Sequence, residues 1–123
     1  DLIFPPNQNG FFGEEDLFLM NYKILKDIAS VIKNNADSIQ TVLIAGYANP
    51  TAYPKKDAMI EEDTESLIPL SLQRATAVKN VLVVLGVPEN ILKVVGKGGL
   101  EYVANPLDSN ENYKNRRIQF FIR

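Results

Sequence analysis

Thr41-Val42-Leu43-Ile44-Ala45-Gly46-Tyr47-Ala48-Asn49-Pro50 is the stretch from which the fold is read. Thr41 to Ala45 is a nearly unbroken apolar run, the pattern of a strand buried on both faces. Gly46 to Pro50 ends it. Upstream, Glu14 to about Asn34 carries the clearest helical periodicity. Leu17, Met20, Ile24, Ile28 and Val31 recur at helical spacing, and Phe18, Leu25, Ala29 and Ile32 widen the stripe. Glu14, Glu15 and Asp16 fall in its first turn, where the helix dipole favours negative charge. Before it, Leu2-Ile3-Phe4 predicts a short strand stopped by Pro5-Pro6. A loop with Gly10, Phe11, Phe12 and Gly13 follows.

Downstream, Thr51 to Ser66 is polar and holds Lys55, Lys56, Asp57, Glu61, Glu62, Asp63 and Glu65. It reads as an acidic insertion, because long loops are uncommon in small domains unless they serve a function. Ser71 reads as the N-cap of a second helix. Ala75, Val78, Leu82 and Leu85 mark that helix's buried face, and Gly86 is its C-cap glycine. Leu92 to Val95 predicts a third strand, followed by the corner Gly96-Lys97-Gly98-Gly99. Asn105 to Lys114 is polar loop. Arg117 to Arg123 predicts the last strand, with Ile118, Phe120 and Ile122 on one face. The order is β-α-β-α-β-β. Two long helices on one face of a small mixed sheet bury both stripes most simply, which makes this an α+β sandwich.

The chain has 123 residues, suited to one domain over 1–123, and 46% of them are hydrophobic, enough for a real core. The formal net charge of −2 argues against a broad positive field for nucleic acid. With no cysteine and no histidine, thiolate or imidazole zinc sites and Ser–His or Cys–His catalysis are excluded. No metal or cofactor is expected. No apolar run reaches the roughly 18–20 residues of a membrane span, so no membrane insertion by this domain is expected. The ends, Asp1 and Arg123, suggest a domain cut from a longer protein.

Three blocks, in order, resemble the OmpA-like C-terminal domain, a wall-binding module. Val42 to Asn49 looks like that family's strand ending in Gly-(His/Tyr)-Thr-Asp. Leu70-Ser71-Leu72-Gln73-Arg74-Ala75 matches Leu-Ser-x-x-Arg-Ala. Val94 to Gly98, with Asn115-Arg116-Arg117-Ile118, resembles Gly-x-Gly followed by Asn-Arg-Arg-Val. Gly-Tyr-Ala-Asn-Pro with the acidic insertion is similar to OmpA-like domains of spirochetes. The resemblance implies non-covalent binding of the peptidoglycan peptide stem by a periplasmic domain. Such a domain is attached to the outer membrane through another part of its parent protein. The implied ligand is the free end of diaminopimelate or a substitute diamino acid, which carries a carboxylate and an ammonium on one carbon.

By that resemblance Arg74 binds the carboxylate, and its planar fork suits two parallel bonds. A surface arginine paired with Glu61, Glu62 or Glu65 is the plainer alternative. Asn49 stands where the family has an ammonium-binding aspartate. It keeps an acceptor but brings no charge, which leaves three outcomes open: weaker binding, a different stem amino acid, or a carboxylate supplied from Glu61, Glu62, Asp63 or Glu65. A turn residue before Pro50 is the plainer reading of Asn49. Tyr47 and Ala48 adjoin it and are candidates to line the pocket. Phe11 is a candidate to pack on the stem or sugar, and Arg116 a further binding residue. The glycine corner lacks the Gly-Lys-Ser/Thr of a phosphate loop and reads as a turn. Two other functions stay in view. An enzyme would need a carboxylate pair that no motif marks. A diverged domain with weak or lost wall binding would use the acidic stretch as a protein-interaction module.

Overall fold

The computed structural model describes the backbone of residues 15–123, and side chains from Asn21 onward. The predicted strand Leu2-Ile3-Phe4 and the candidate Phe11 lie outside the described residues. Helix α1 spans Glu15–Asn34. Its buried line is Leu25, Ala29 and Ile32, with Ile24 and Ile28 packed partly against the core. Val31, placed on the stripe by periodicity, is 55% exposed. The buried face is therefore rotated toward Leu25, and Val31 borders an apolar groove with Ile28, Phe120 and Ile122.

Strand β1 is Val42–Gly46, and all but Leu43 is buried. It pairs in parallel with β2, Leu92–Gly96, and antiparallel with β3, Ile118–Ile122. The described sheet is thus mixed, in the order β2-β1-β3. Strands β1 and β2 are parallel, so the chain must cross over between them, and helices fill that crossover.

The crossover differs from the sequence expectation. Residues 56 onward are helical, not loop. Helix α2 is Lys56–Glu62, a π turn covers Asp63–Leu67, and α3 is Ile68–Val84. Pro69 explains the interruption. It has no N–H for a bond to the carbonyl four residues earlier, and its ring crowds that turn. The chain relieves the conflict by widening the preceding turn rather than by stopping. Ser71 is consequently interior to a helix and is not an N-cap. It is fully buried, and its hydroxyl donates to the Ile68 carbonyl at 3.0 Å. By length and hydropathy the helical run Lys56–Val84 meets the requirement of a bilayer span. Its packing is that of a core helix, with Ala75, Val78 and Leu82 buried in the same cluster as Val42, Ile44 and Leu92.

The C-terminus of α3 follows its sequence. Gly86 sits at φ +98°, Gly86 N–H donates to the Val83 carbonyl at 3.0 Å, and Val87 N–H to that of Leu82 at 3.0 Å. This is a Schellman ending, and buried Val87 and Leu82 share the core. The Lys33 ammonium adds a cap from α1, donating to the Leu85 carbonyl at 2.9 Å.

The helix approaches the sheet at two glycines that are register partners, Gly46 and Gly96. A Cβ on Gly96 would lie 2.5 Å from the Ile68 carbonyl oxygen, and one on Gly46 would collide with that of Ser71. Both obstacles are backbone and have no rotamer with which to retreat. Gly46→Ala is therefore expected to destabilise the fold by about 1–3 kcal/mol, as overpacking does. Chemical denaturation should show the midpoint falling with little change in slope; an unchanged midpoint would refute the close approach.

Candidate functional site

A cleft of about 330 Å³ opens between the end of β1 and the helical crossover, lined by Ala48, Asn49, Glu62, Leu70, Arg74 and Arg116 among others. Its helical wall is a row of four residues with Leu67 beside it. Glu62, Ser66, Leu70 and Arg74 all line it, spaced by four. In a regular α-helix each step of four overshoots a full turn by about 40°. The π turn holds more residues per turn, which offsets that drift and keeps the row facing the cleft.

Arg74 is 1% exposed, and its Nη1 donates to the Tyr47 carbonyl at 3.5 Å. Burial, and after it the positive charge of Arg116, lower its pKa to about 10. It remains a cation at neutral pH. Arg116 is also pushed down by burial, and its Nη1 donates to Asn112 Oδ1 at 3.5 Å. Two partly desolvated guanidiniums therefore share one cleft, an arrangement that favours an anion with two acceptor oxygens.

Asn49 is half-buried and held from behind. Its Oδ1 accepts from Asn115 Nδ2 at 2.8 Å, and its Nδ2 donates to the Pro106 carbonyl at 3.4 Å. Asn115 is fully buried. Its Oδ1 accepts from Val103 N–H at 2.8 Å and Ala104 N–H at 2.9 Å, and its Nδ2 also donates to the Ala104 carbonyl at 3.0 Å. Those backbone groups set the orientation of both amides. Asn49 Oδ1 keeps one lone pair for a ligand.

The acidic candidates separate clearly. Glu62 lines the cleft, but its carboxylate accepts from Thr51 N–H at 3.0 Å, Ala52 N–H at 3.1 Å and the Thr51 hydroxyl. Asp63 is 4% exposed and accepts from Gly99 N–H at 2.6 Å. Glu61 and Glu65 are exposed and do not line the cleft. Tyr47 contributes its carbonyl rather than its ring. The ring carries the Arg117 guanidinium 3.8 Å from its centroid and is not part of the cleft wall. Arg117 Nη2 donates to the Glu101 carbonyl at 3.1 Å, which places this arginine in a structural stack. Burial, then the charge of Glu101, raises the Tyr47 pKa.

The OmpA family profile matches residues 12–117. The chain belongs to the OmpA family. Among curated proteins it is 31% identical over 114 residues to the peptidoglycan-binding protein ArfA of Mycobacterium tuberculosis and of Mycobacterium bovis. That match covers 90% of this chain and 31% of the relative. The chain therefore spans about a third of the length of those relatives. In structure it resembles the peptidoglycan-associated lipoprotein of Burkholderia pseudomallei, with a TM-score of 0.76 at 20% identity over 99% of this chain and 88% of that one. It also resembles the C-terminal domain of MotB from Helicobacter pylori, with a TM-score of 0.73 at 20% identity over 99% and 82%. The OmpA-like domain of FopA1 from Francisella tularensis aligns with a TM-score of 0.72 at 20% identity over 95% and 66%. These likenesses show the fold: two long helices on a small mixed sheet.

Of the residues singled out from the sequence of this OmpA domain, Ala48, Asn49, Arg74 and Arg116 come together in the cleft. Thr51, Ser66, Leu67, Leu70 and Asn112 also line it, beyond what the sequence predicts. The spacing of Ser66, Leu70 and Arg74 is a usable signal that a loop reading of 51–66 hides. The Asn-Arg-Arg motif does not reveal that Asn115 holds Asn49. Asn115→Ala leaves the Val103 and Ala104 N–H groups without their acceptor, at a cost of about 1–3 kcal/mol each where buried. Thermal unfolding should show the loss; a variant as stable as the parent would refute this role.

Proposed function

We propose that this domain binds peptidoglycan non-covalently through the free end of a peptide stem, and so anchors its parent envelope protein to the cell wall. The observation that carries the reading is Arg74. It is buried at the floor of an open cleft beside a second guanidinium, and two planar forks facing one cleft suit a carboxylate with two acceptor oxygens. The carboxylate of diaminopimelate, or of a substitute diamino acid, is such an anion. Asn49 Oδ1 accepts from the amine on the same carbon. The matching position of Arg74 in Leu-Ser-x-x-Arg-Ala and the name of the curated relative point the same way.

The proposed action is binding without catalysis. No histidine or cysteine is present, and among the described residues that line the cleft the one carboxylate, Glu62, is committed to the Thr51–Ala52 backbone. A periplasmic location, with attachment to the outer membrane through another part of the parent protein, follows from this reading.

Sedimentation with purified peptidoglycan tests it. The domain should pellet with the wall and release no soluble fragments. Arg74→Met should abolish retention in a variant that still unfolds cooperatively, whereas Arg74→Lys, which keeps the charge but not the planar fork, should retain only part of it. Arg116→Ala, at a half-buried position, should weaken retention without unfolding the protein. A domain that stays in the supernatant at low salt, or an Arg74→Met variant that pellets normally, would overturn the assignment.

A further inference from the structure

Glu62 stands at the N-terminal end of the helical row that finishes with Arg74, and its carboxylate reaches the opposite wall of the cleft. There it takes up the chain just after Asn49. The Ala48 N–H donates to the Gly98 carbonyl at 2.8 Å, and buried Pro50 has no N–H to give. Among the described residues, the next N–H groups tied to a distant element are those of Thr51, at 3.0 Å, and Ala52, at 3.1 Å. Both donate to Glu62 Oε1, and the Thr51 hydroxyl donates to Oε2. Asn49 and Thr51, which line the cleft, therefore lie on a short span held at one end by the Gly98 corner and at the other by Glu62. The next residue works on the same frame. Asp63 accepts from Gly99 N–H at 2.6 Å, and a Cβ on Gly99 would lie 3.2 Å from the Ala48 carbonyl oxygen.

We propose that Glu62 is a positioning residue for ligand binding. It draws the segment after β1 onto the helical wall, so that Asn49 and Thr51 face the stem in a fixed place, and it does not itself meet the stem's amine. Its hydrogen bonds and its distance from Arg74 favour that role over direct contact. Oε1 accepts two N–H bonds, which fill it, and Oε2 accepts the hydroxyl. Glu62 also lies twelve residues before Arg74, about 18 Å along a regular helix. Side chains on a helix all lean toward its N-terminus, so Glu62 moves away as Arg74 leans toward it and the separation is kept. The carboxylate and amine of the stem end sit on one carbon, far closer together than that. Holding the segment before the ligand arrives removes part of the ordering cost of binding.

This proposal rests on the wall-binding reading, and two measurements on Glu62→Ala and Glu62→Gln keep the two apart. The first is amide hydrogen exchange of the unliganded domain. Exchange at Thr51 and Ala52 should speed up in Glu62→Ala and stay slow in Glu62→Gln, whose amide oxygen still accepts both N–H groups, while β1 stays protected in both. The second is calorimetry with a diaminopimelate-ended stem peptide. Glu62→Ala should weaken binding about tenfold, the size of an added ordering cost. Glu62→Gln should stay within about threefold of the unaltered domain. A tenfold loss in Glu62→Gln would show that the charge itself meets the ligand, and overturns the positioning role even if Glu62→Ala does not fold. Unchanged exchange or unchanged affinity in Glu62→Ala overturns this proposal alone. A peptide that fails to bind the unaltered domain overturns the wall-binding reading, and this proposal with it.

Discussion

The structure depends on one backbone-to-backbone contact. Helix α3 lies directly on the ends of β1 and β2, where Gly46 and Gly96 are register partners and neither strand raises a side chain. That close approach brings the helix within hydrogen-bonding distance of the corner after β2. The Ser71 hydroxyl accepts from Gly98 N–H at 2.9 Å, and Asp63 accepts from Gly99 N–H. The corner is tied to β1 as well: Ala48 N–H donates to the Gly98 carbonyl and Lys97 N–H to that of Gly46, both at 2.8 Å. Helix, corner and strand end form one frame. The two walls of the cleft are therefore fixed relative to each other before any ligand arrives, which lowers the ordering cost of binding.

The frame also explains how a cation is tolerated in the interior. Arg74 sits beside Ala75 and above the end of β1, where the Tyr47 carbonyl receives its Nη1. Burial pushes the guanidinium's pKa down, and Arg116 adds to that push. Arg117, the neighbour of Arg116 in sequence, is handled differently. It stacks on the Tyr47 ring, and its Nε and Nη1 are buried without hydrogen-bond partners among the described residues. Adjacent arginines thus serve opposite sides of the same strand end, one facing the cleft and one bracing Tyr47.

Much of the fold was legible because apolar periodicity and end signals are local. The strand at 42–46, the Gly86 ending and the last strand each follow from a few neighbouring residues. The crossover was not legible, and the reason is specific. Asp63 is a buried charge on the helix's inward face, between Met59 and Leu67, so the stretch looked uniformly polar. Its partner, Gly99 N–H, is 36 residues away. Pro69 is the usual mark of a helix start, and it does open α3, but the chain is already helical before it. In the site, Arg74 and Asn49 were legible through the family pattern. The role of Asn115 was not, since its partners are backbone groups at 103 and 104 that no side-chain motif records.

The asparagine at 49 is better understood as one member of a set than as an aspartate that lost its charge. Its Nδ2 faces the Pro106 carbonyl, and Asn112 Nδ2 converges on the same oxygen, each at 3.4 Å. A carboxylate at 49 would set an anionic oxygen against that carbonyl where a donor now stands, and the repulsion would be felt in a partly desolvated cleft. Asn115, meanwhile, donates to position 49 and would serve an aspartate equally well. The surroundings therefore favour one donor and one acceptor from residue 49, which an amide supplies and an ionised carboxylate does not. Neutrality at this position is built into the loop that carries Pro106.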